Sequence, residues 1–318
     1  MRIVFVVDPL AQLKAYKDST VAMIEQAQQR GHQVYVCQQD ELWYEAGTTM
    51  ARTRRIHVLD ASGEVEPWYR VEEDLVDRLS SFDAVLMRKD PPFDMEYVYS
   101  TYLLEIAQRE GAKVFNDPRA IRDHNEKLSV AEFPQYTPPT IVTRDPQRLR
   151  AFVSDHQEAV FKPLDGMGGT SIFRARADDP NLSVIIETLN EFGARSVMAQ
   201  GFIPEISDGD KRVLLIGGKV VPYCLARIPK EGEFRGNLAA GGRGVARELS
   251  ASDLAIGEAL APALWSRGLL LVGLDVIGDR ITEINVTSPT CFREIEQQTG
   301  FNVAAMFIES LEAAFDAG

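Results

Sequence analysis

The constraint that bears hardest on the fold is an alternation of strand and helix signals over residues 1–120. RIVFVVD is rich in Val and Ile and reads as a buried strand. DSTVAMIEQAQQRG reads as a helix, with Asp18 or Ser19 as its N-cap and Gly31 just past its end. HQVYVC is the next strand, and DAVLMRKDPPFD is a strand that stops at its proline pair. MEYVYSTYLLEIAQREG is again a helix, ending at Gly111, and AKVFN a further strand. This order predicts a parallel α/β domain, in which each strand returns through a helix laid on the sheet. Ligands of such domains bind beyond the carboxyl ends of the strands, where Asp8 and Arg88 stand. A surface salt bridge is the commoner fate of an arginine. The place of Arg88 before a rigid Pro-Pro favours a functional role.

Beyond residue 120 the pattern changes. PRAIRDHNEKLSVAEFP reads as one helix with Pro118 in its first turn, and TPPTIVTRD as a proline-stiffened strand. DPQRLRAFVSDH and LSVIIETLNEFG are helical, AVFKPLDGMGGTSIFRA is a strand–loop–strand unit, and SVMAQGFIP is a strand. Together they predict a small α+β subdomain. A charged strand pair over 211–227, a Gly-rich stretch, a helix over 252–267 with a kink at Pro262, and a hairpin complete the chain. A length of 318 residues predicts two or three subdomains. The net charge of −13 speaks against a nucleic-acid binder but leaves room for a local basic pocket. Cys37, Cys224 and Cys291 lie far apart without metal-binding spacing, the pattern of reduced thiols in a cytoplasmic protein. No apolar run approaches the ~20 residues of a membrane span, and the apolar run before Asp8 is too short for a signal peptide.

Three stretches carry chemistry. In VFKPLDGMGGTSIF, Lys162 precedes Gly166, Gly168 and Gly169. Backbone N–H groups of a glycine-rich turn can converge on anionic oxygens, with a lysine supplying point charge. The order of residues is neither that of a P-loop nor that of a dinucleotide fingerprint, and taken alone a structural hairpin fits equally well. In LLLVGLDVIGDRITEINVTSPT, Glu283 and Asn285 share one strand face. A three-residue hairpin loop at 278–280 places Asp275 opposite Glu283, whereas a two-residue loop places it on the other face. Two carboxylates and an amide are hard oxygen ligands suited to Mg²⁺, and a buried acidic cluster needs a cation. The bland alternative is a solvated polar face of an edge hairpin. Residues 211–243 carry seven Lys/Arg against two Asp/Glu, and IPKEGEFRGNLAAGGRG within them is too poor in apolar side chains to pack tightly. It reads as a mobile, arginine-bearing lid over 228–243, the alternative being a disordered insertion.

A lysine with glycines, acidic ligands on a hairpin and an arginine-bearing lid describe an ATP-dependent enzyme. With LMRKDPPFD, NEKL, KPLDGMGG, MAQ, DGDKRVLL, PYCLARIP, RGNLAAGGRG and GLDVIGDRITEINVTSPTC, the chain resembles bacterial glutathione synthetases of the ATP-grasp superfamily along essentially its whole length. DPPFD and RGNLAAGGRG with EINVTSPT are the more specific motifs, and KP.DG.GG and E.N are shared with ATP-grasp ligases generally. AQGF departs from the family, where an asparagine and a tyrosine often follow the glutamine. The stretch after Asp8 is also looser.

The resemblance implies a Rossmann-like substrate-binding domain over 1–122, then an ATP-grasp fold of two α+β subdomains, 123–200 and 201–318. It implies that Lys127 and Lys162 hold the α- and β-phosphates of ATP under the loop 165–169. Gln200, Gly201, Phe202 and Ile203 would form the adenine hinge, with Asp210 near the nucleotide. Asp275, Glu283 and Asn285 would bind two Mg²⁺ or Mn²⁺. Arg88, Arg212, Arg227, Arg235 and Asn237 would meet the dipeptide or the reacting centre, with Arg212, Arg235 and Lys162 in catalysis. The implied reaction joins γ-glutamylcysteine to glycine through an acyl phosphate, in a cytoplasmic homotetramer without nucleic-acid or membrane partners. Another carboxylate–amine ligase is the alternative within the superfamily, and a nucleotide-binding regulatory protein the alternative outside it. His32, His57, His124 and His156 lie outside the key motifs and read as surface or packing residues.

Overall fold

A computed structural model describes residues 1–166, 168–238 and 241–316. Among them the strands form three sheets, of seven, four and five strands. The first unit runs β1 (Arg2–Val6), α1 (Ser19–Gln29), β2 (Gln33–Cys37), β3 (Leu42–Glu45), β4 (Thr48–Val58), β5 (Tyr69–Arg78), β6 (Ala84–Met87), α2 (Met95–Arg109), β7 (Val114–Phe115) and α3 (Pro118–Asp123). The expected parallel strands lie side by side as β2–β1–β6–β7. Three antiparallel strands, β3, β4 and β5, extend this sheet and make it mixed. Their sequences carry so many charges, as in RVEEDLVDR, that no apolar alternation announces them.

The second unit holds β8 (Thr140–Thr143), α4 (Pro146–His156), β9 (Glu158–Pro163), β10 (Phe173–Arg176), α5 (Leu182–Asn190) and β11 (Val197–Gly201), in the sheet order β10–β9–β11–β8. The third holds β12 (Asp210–Ile216), β13 (Lys219–Ile228), β14 (Arg243–Glu248), α6 (Ala251–Ser266), β15 (Leu271–Ile277), β16 (Arg280–Asn285), α7 (Phe292–Thr299) and α8 (Val303–Asp316), in the order β14–β13–β12–β15–β16. Helix starts follow local chemistry. Asp18 accepts from the N–H groups of Thr20 and Val21, Asp94 from Tyr97, Asp117 from Ala120 and Asp145 from Gln147. Ser250 and Asp253 form a reciprocal capping box on α6, which continues past Pro262. Among the described residues no helix is long and apolar enough to cross a membrane.

One core joins the first and third sheets: Ile3, Phe5 and Val36 pack in the same cluster as Leu214, Ile216, Phe292 and Phe307. Asn116 fastens that junction. Its side chain donates to the carbonyls of Leu271 and Val286, at 2.7 and 2.8 Å, and accepts from the Leu271 N–H at 2.9 Å.

The helix expected over 118–134 stops at Asp123. His124 leaves helical geometry and is buried between the Ala120 carbonyl and Arg267, each 2.7 Å from a ring nitrogen. The Asn125 side chain then accepts from the N–H groups of Lys127 and Leu128. This break turns Glu126 and Lys127 toward the space between the second and third sheets. Of the other histidines, His32 is held by the N-terminus and Glu312, while His57 and His156 are exposed.

Candidate active site

Two clefts meet at one acidic wall. The first, of about 620 Å³, lies between the second and third sheets, and Val160, Ile172, Ile206 and Ile277 give it an apolar slot. Gln200, Gly201, Phe202 and Ile203 form one edge of it, and Lys162, Asp210, Arg235 and Asn237 also line it. The second, of about 900 Å³, holds more charged side chains; Arg212, Arg227, Glu126, Asn285 and the turn Thr287–Cys291 line it. Asp275, Glu283 and Asn237 border both.

The wall depends on a register detail. Ile277 pairs with Arg280, so of the two alternatives the hairpin loop is the shorter, the two residues Gly278 and Asp279. Asp275 nevertheless opposes Glu283, because the register shifts by one residue between Asp275 and Val276. The extra residue, Thr282, is a β-bulge that restores the phase and donates its hydroxyl to the Asp275 carbonyl at 3.3 Å.

Charges around the wall balance nearly one for one. Lys162 Nζ lies 3.6 Å and Lys127 Nζ 3.9 Å from Glu283 Oε1, while Lys127 also donates to the Gly166 carbonyl. Arg212 Nε donates to Asp275 Oδ1 at 2.6 Å. Arg227 Nη2 lies 2.9 Å from Asp275 Oδ2 and 2.6 Å from Asp210 Oδ2, a charge contact rather than an aligned hydrogen bond. Burial by itself raises the Asp275 carboxyl, but Arg212 and Arg227 override it and hold the group well below the usual carboxylate range. At Asp210 burial prevails over Arg227, and the carboxyl is pushed up to about 6. Burial, then the charge of Glu283, also raises Glu126, whose Oε1 accepts from the Thr287 hydroxyl at 2.9 Å.

Among the described residues no three His, Cys, Asp or Glu side chains come together as a metal cluster. The donor set that fits a hard divalent cation is mixed. Glu283 has its two lysines beyond hydrogen-bond distance. Asn285 donates its amide N–H to the Gly273 carbonyl at 3.3 Å, which turns its oxygen the other way. Asp275 can join them only by sharing an oxygen now held by an arginine. Few protein ligands plus substrate phosphates is the usual Mg²⁺ arrangement.

The glycine-rich stretch is a hairpin whose loop overhangs the site. β9 and β10 pair with Phe161 opposite Phe173, and Met167 of the loop lies outside the described residues. Gly169, at φ +81°, is so near the lid that an added Cβ would stand 2.6 Å from Asn237 Oδ1. Arg235 donates to the Gly169 carbonyl at 3.3 Å and to Glu233 at 2.7 Å, and this bond holds the Glu233 carboxyl down at about 2. In the described part of the lid, residues 228–238 and 241–243, two glycines come close to neighbouring backbone. A Cβ at Gly236 would collide with the Arg227 carbonyl, and one at Gly242 with the Gly236 carbonyl. Such backbone-to-backbone approach is open only to glycine. Ala239 and Ala240 of this lid lie outside the described residues.

Arg88 stands behind the cleft wall rather than in it. Its buried guanidinium donates to Thr20 Oγ1 at 3.1 Å and to the Pro289 carbonyl at 3.0 Å, so it braces the turn after β16. Asp8 accepts from the Asp90 N–H and pairs with Lys89, a structural use. Residue-by-residue reading missed Glu126, Asp90 and Ser288 in the second cleft, where Ser288 donates to Asp90. The available signal was a polar, proline-bearing TSPT run directly after an acidic strand.

At Phe202, the departure from the family pattern, Arg174 stacks on the ring with its guanidinium carbon 3.7 Å from the centroid. The Phe202 N–H donates to the Glu158 carbonyl and the Gly201 N–H to the Pro139 carbonyl, which fixes the hinge backbone.

Solved structures with this fold include the ATP-grasp ligase PsnB complexed with a precursor peptide and AMPPNP, at TM-score 0.64 and 20% identity, covering 99% of this chain and 98% of that one. The D-cycloserine synthetase DcsG aligns at TM-score 0.67 and 16% identity, covering 98% and 99%. These likenesses show that the chain has the fold of the ATP-grasp ligases. Residues 1–122 match the family described as prokaryotic glutathione synthetase, N-terminal domain, and residues 126–300 the ATP-grasp domain of the same enzyme. A glutathione synthetase of Ralstonia nicotianae is 60% identical over 99% of this chain and 96% of its own length. Those of Nitrosomonas europaea and Pseudomonas aeruginosa are 56% and 51% identical, each over 98% of this chain and 98% of its own length. The chain belongs to the prokaryotic glutathione synthetase family.

Proposed function

We propose that this enzyme joins the cysteinyl carboxylate of γ-glutamylcysteine to the amine of glycine, converting ATP to ADP and phosphate and releasing glutathione. The observation that carries the reading is the shared wall. An apolar slot and an arginine-bearing cleft open onto the same Asp275–Glu283 pair, so a nucleotide in one presents its terminal phosphate to a carboxylate in the other. Lys127 and Lys162 hold the α- and β-phosphates, and the loop 165–169 covers them. Gln200, whose buried Oε1 has no protein partner, and residues 201–203 receive the adenine, with Asp210 beside the nucleotide.

Carboxylates and cations already match around the wall, so the polyphosphate brings negative charge that needs compensation. Two divalent ions, Mg²⁺ or Mn²⁺, held by Asp275, Glu283 and Asn285, would supply that compensation and polarise the transferring phosphoryl group. Arg227 and Asn237 receive the dipeptide, and Arg88 keeps the Pro289 turn in place behind it. Arg212 donates to the oxyanion that forms when glycine attacks the acyl phosphate. Arg235 and the lid exclude water from that intermediate.

The chain works as three units, 1–122, 123–200 and 201–318, in a cytoplasmic homotetramer. Its three cysteines are free thiols, which suits a reducing compartment. The test is ADP release with Mg²⁺-ATP, γ-glutamylcysteine and glycine, each omitted in turn, with the product identified by mass. Turnover that needs all three and yields glutathione is expected. Equal turnover with unrelated carboxylates would refute the assignment of the dipeptide.

A further inference from the structure

One histidine stands where the chain turns into the site. If α3 ran on, Glu126 would stack over Arg122 and Lys127 over Asp123, which is exposed, and Lys127 would point into solvent. Lys127 is instead 3% exposed, with its Nζ on the Gly166 carbonyl and 3.9 Å from Glu283 Oε1. His124 makes the difference. Its two ring nitrogens are fixed by the Ala120 carbonyl and by Arg267 Nη1. A carbonyl only accepts and a guanidinium only donates, so the ring is the neutral tautomer with its proton on Nδ1. Arg267, at the end of α6, is itself held by Glu132 at 2.8 Å. The residues that follow His124 are tied on two sides. The Asn125 amide donates to the Leu164 carbonyl at 3.2 Å, and the Ile284 N–H donates to the Glu126 carbonyl at 2.8 Å, next to Glu283. His124 lines neither cleft but a smaller cavity of about 420 Å³ beside them, which Glu126 and Asp165 also border.

We propose that His124 is a positioning residue for the nucleotide: its neutral ring holds residues 124–128 in the arrangement that carries Lys127 to the phosphates. That role of Lys127 belongs to the reaction proposed above, and the positioning role rests on it. A second proton on the ring undoes the arrangement. On Nε2 it sets one N–H against another, and one cation against the cation of Arg267. The other charged groups that face the ring are carboxylates: Glu132 behind Arg267, and Glu126 and Asp165 across the shared cavity. A protonated ring is drawn toward them, and Arg267 loses its acceptor in either case. The segment then samples the continued helix, and only the fraction of molecules that keeps the break binds nucleotide at full strength. Nucleotide affinity therefore falls as the pH falls, through a histidine that no substrate touches.

The test is calorimetric binding of Mg²⁺-AMPPNP to the whole protein, without dipeptide or glycine, so the identity of the activated carboxylate does not enter. His124→Ala is expected to weaken binding roughly tenfold, as it would if about a tenth of the molecules kept the break. Arg267→Ala should cost about as much, and the double variant no more than either alone. His124→Gln, whose amide oxygen accepts from Arg267, should stay within about threefold of wild type. Between about pH 8 and about pH 5.5 the wild type should lose several-fold more affinity than His124→Gln, which has no ring to protonate and so reports the nucleotide's own titration. A merely structural role would leave the two profiles parallel, and parallel profiles would overturn the inference. So would a folded His124→Ala that binds like wild type while Lys127→Ala binds weakly. Wild-type affinity in Lys127→Ala would remove the phosphate role of Lys127 and the positioning role with it. Circular dichroism accompanies each variant, and if His124→Ala fails to fold, the pH comparison with His124→Gln decides.

Discussion

Gly169→Ala tests whether the phosphate-side loop and the lid must touch for catalysis. Gly169 has φ +81°, a left-handed conformation that costs an alanine about 1–2 kcal/mol. An added Cβ would also stand 2.6 Å from Asn237 Oδ1 and 3.1 Å from its Cγ. The obstacle is a side chain, so it yields by leaving its rotamer, at about 1 kcal/mol. Only the second cost is confined to the closed arrangement. If the loop keeps its shape when open, kcat/KM for ATP falls about fivefold; if it forms only on closure, both costs apply and the fall reaches about 150-fold. Gly31 supplies the control. Its φ is also +81° and nothing lies within 4 Å of an added Cβ, so Gly31→Ala should lose stability and keep full activity. The assay is ADP release with saturating γ-glutamylcysteine and glycine, run as a double-mutant cycle with Asn237→Ala. A coupling of about 1 kcal/mol is expected. Activity within twofold of wild type, with additive effects, would mean that the loops need not meet.

Three further outcomes follow from the site and its supports. Glu283→Gln should abolish ADP release with the fold intact by circular dichroism, and chelation of divalent metal should do the same to the wild type; retained turnover in either case removes the metal assignment. Asn116→Ala leaves two buried carbonyls and an N–H unpaired between the first and third sheets, and should cost about 2–4 kcal/mol in denaturant unfolding; a loss below half of that would place the junction's strength in the apolar core alone. Burial pushes the Cys224 thiol up to about 11 and also raises Cys37 and Cys291, so no thiol of the native protein should alkylate at pH 8 before unfolding; rapid labelling of any of them would show that the sheet or cleft around it opens.

Much of this protein was written locally. Asp18, Asp94, Asp117 and Asp145 start helices because a side-chain oxygen meets an N–H two or three residues on, a contact that needs no distant partner. Val/Ile-rich runs gave the parallel strands, and the lysine, glycine and acidic motifs named the chemistry and the family. Tertiary structure decided the aim of these parts. The helix over 118–134 ends early because His124 finds Arg267, far along the chain, and only that break turns Glu126 and Lys127 into the site. Arg88 donates to Thr20 and Pro289, partners that no strand-end rule can foresee. Asp275 faces Glu283 through a bulge at Thr282, although the loop length taken alone puts it on the other face. Local hydrogen bonds and apolar period are properties of neighbours in sequence. Register, direction and charge pairing are set by whatever the fold brings alongside, and there the same residues could have served other ends.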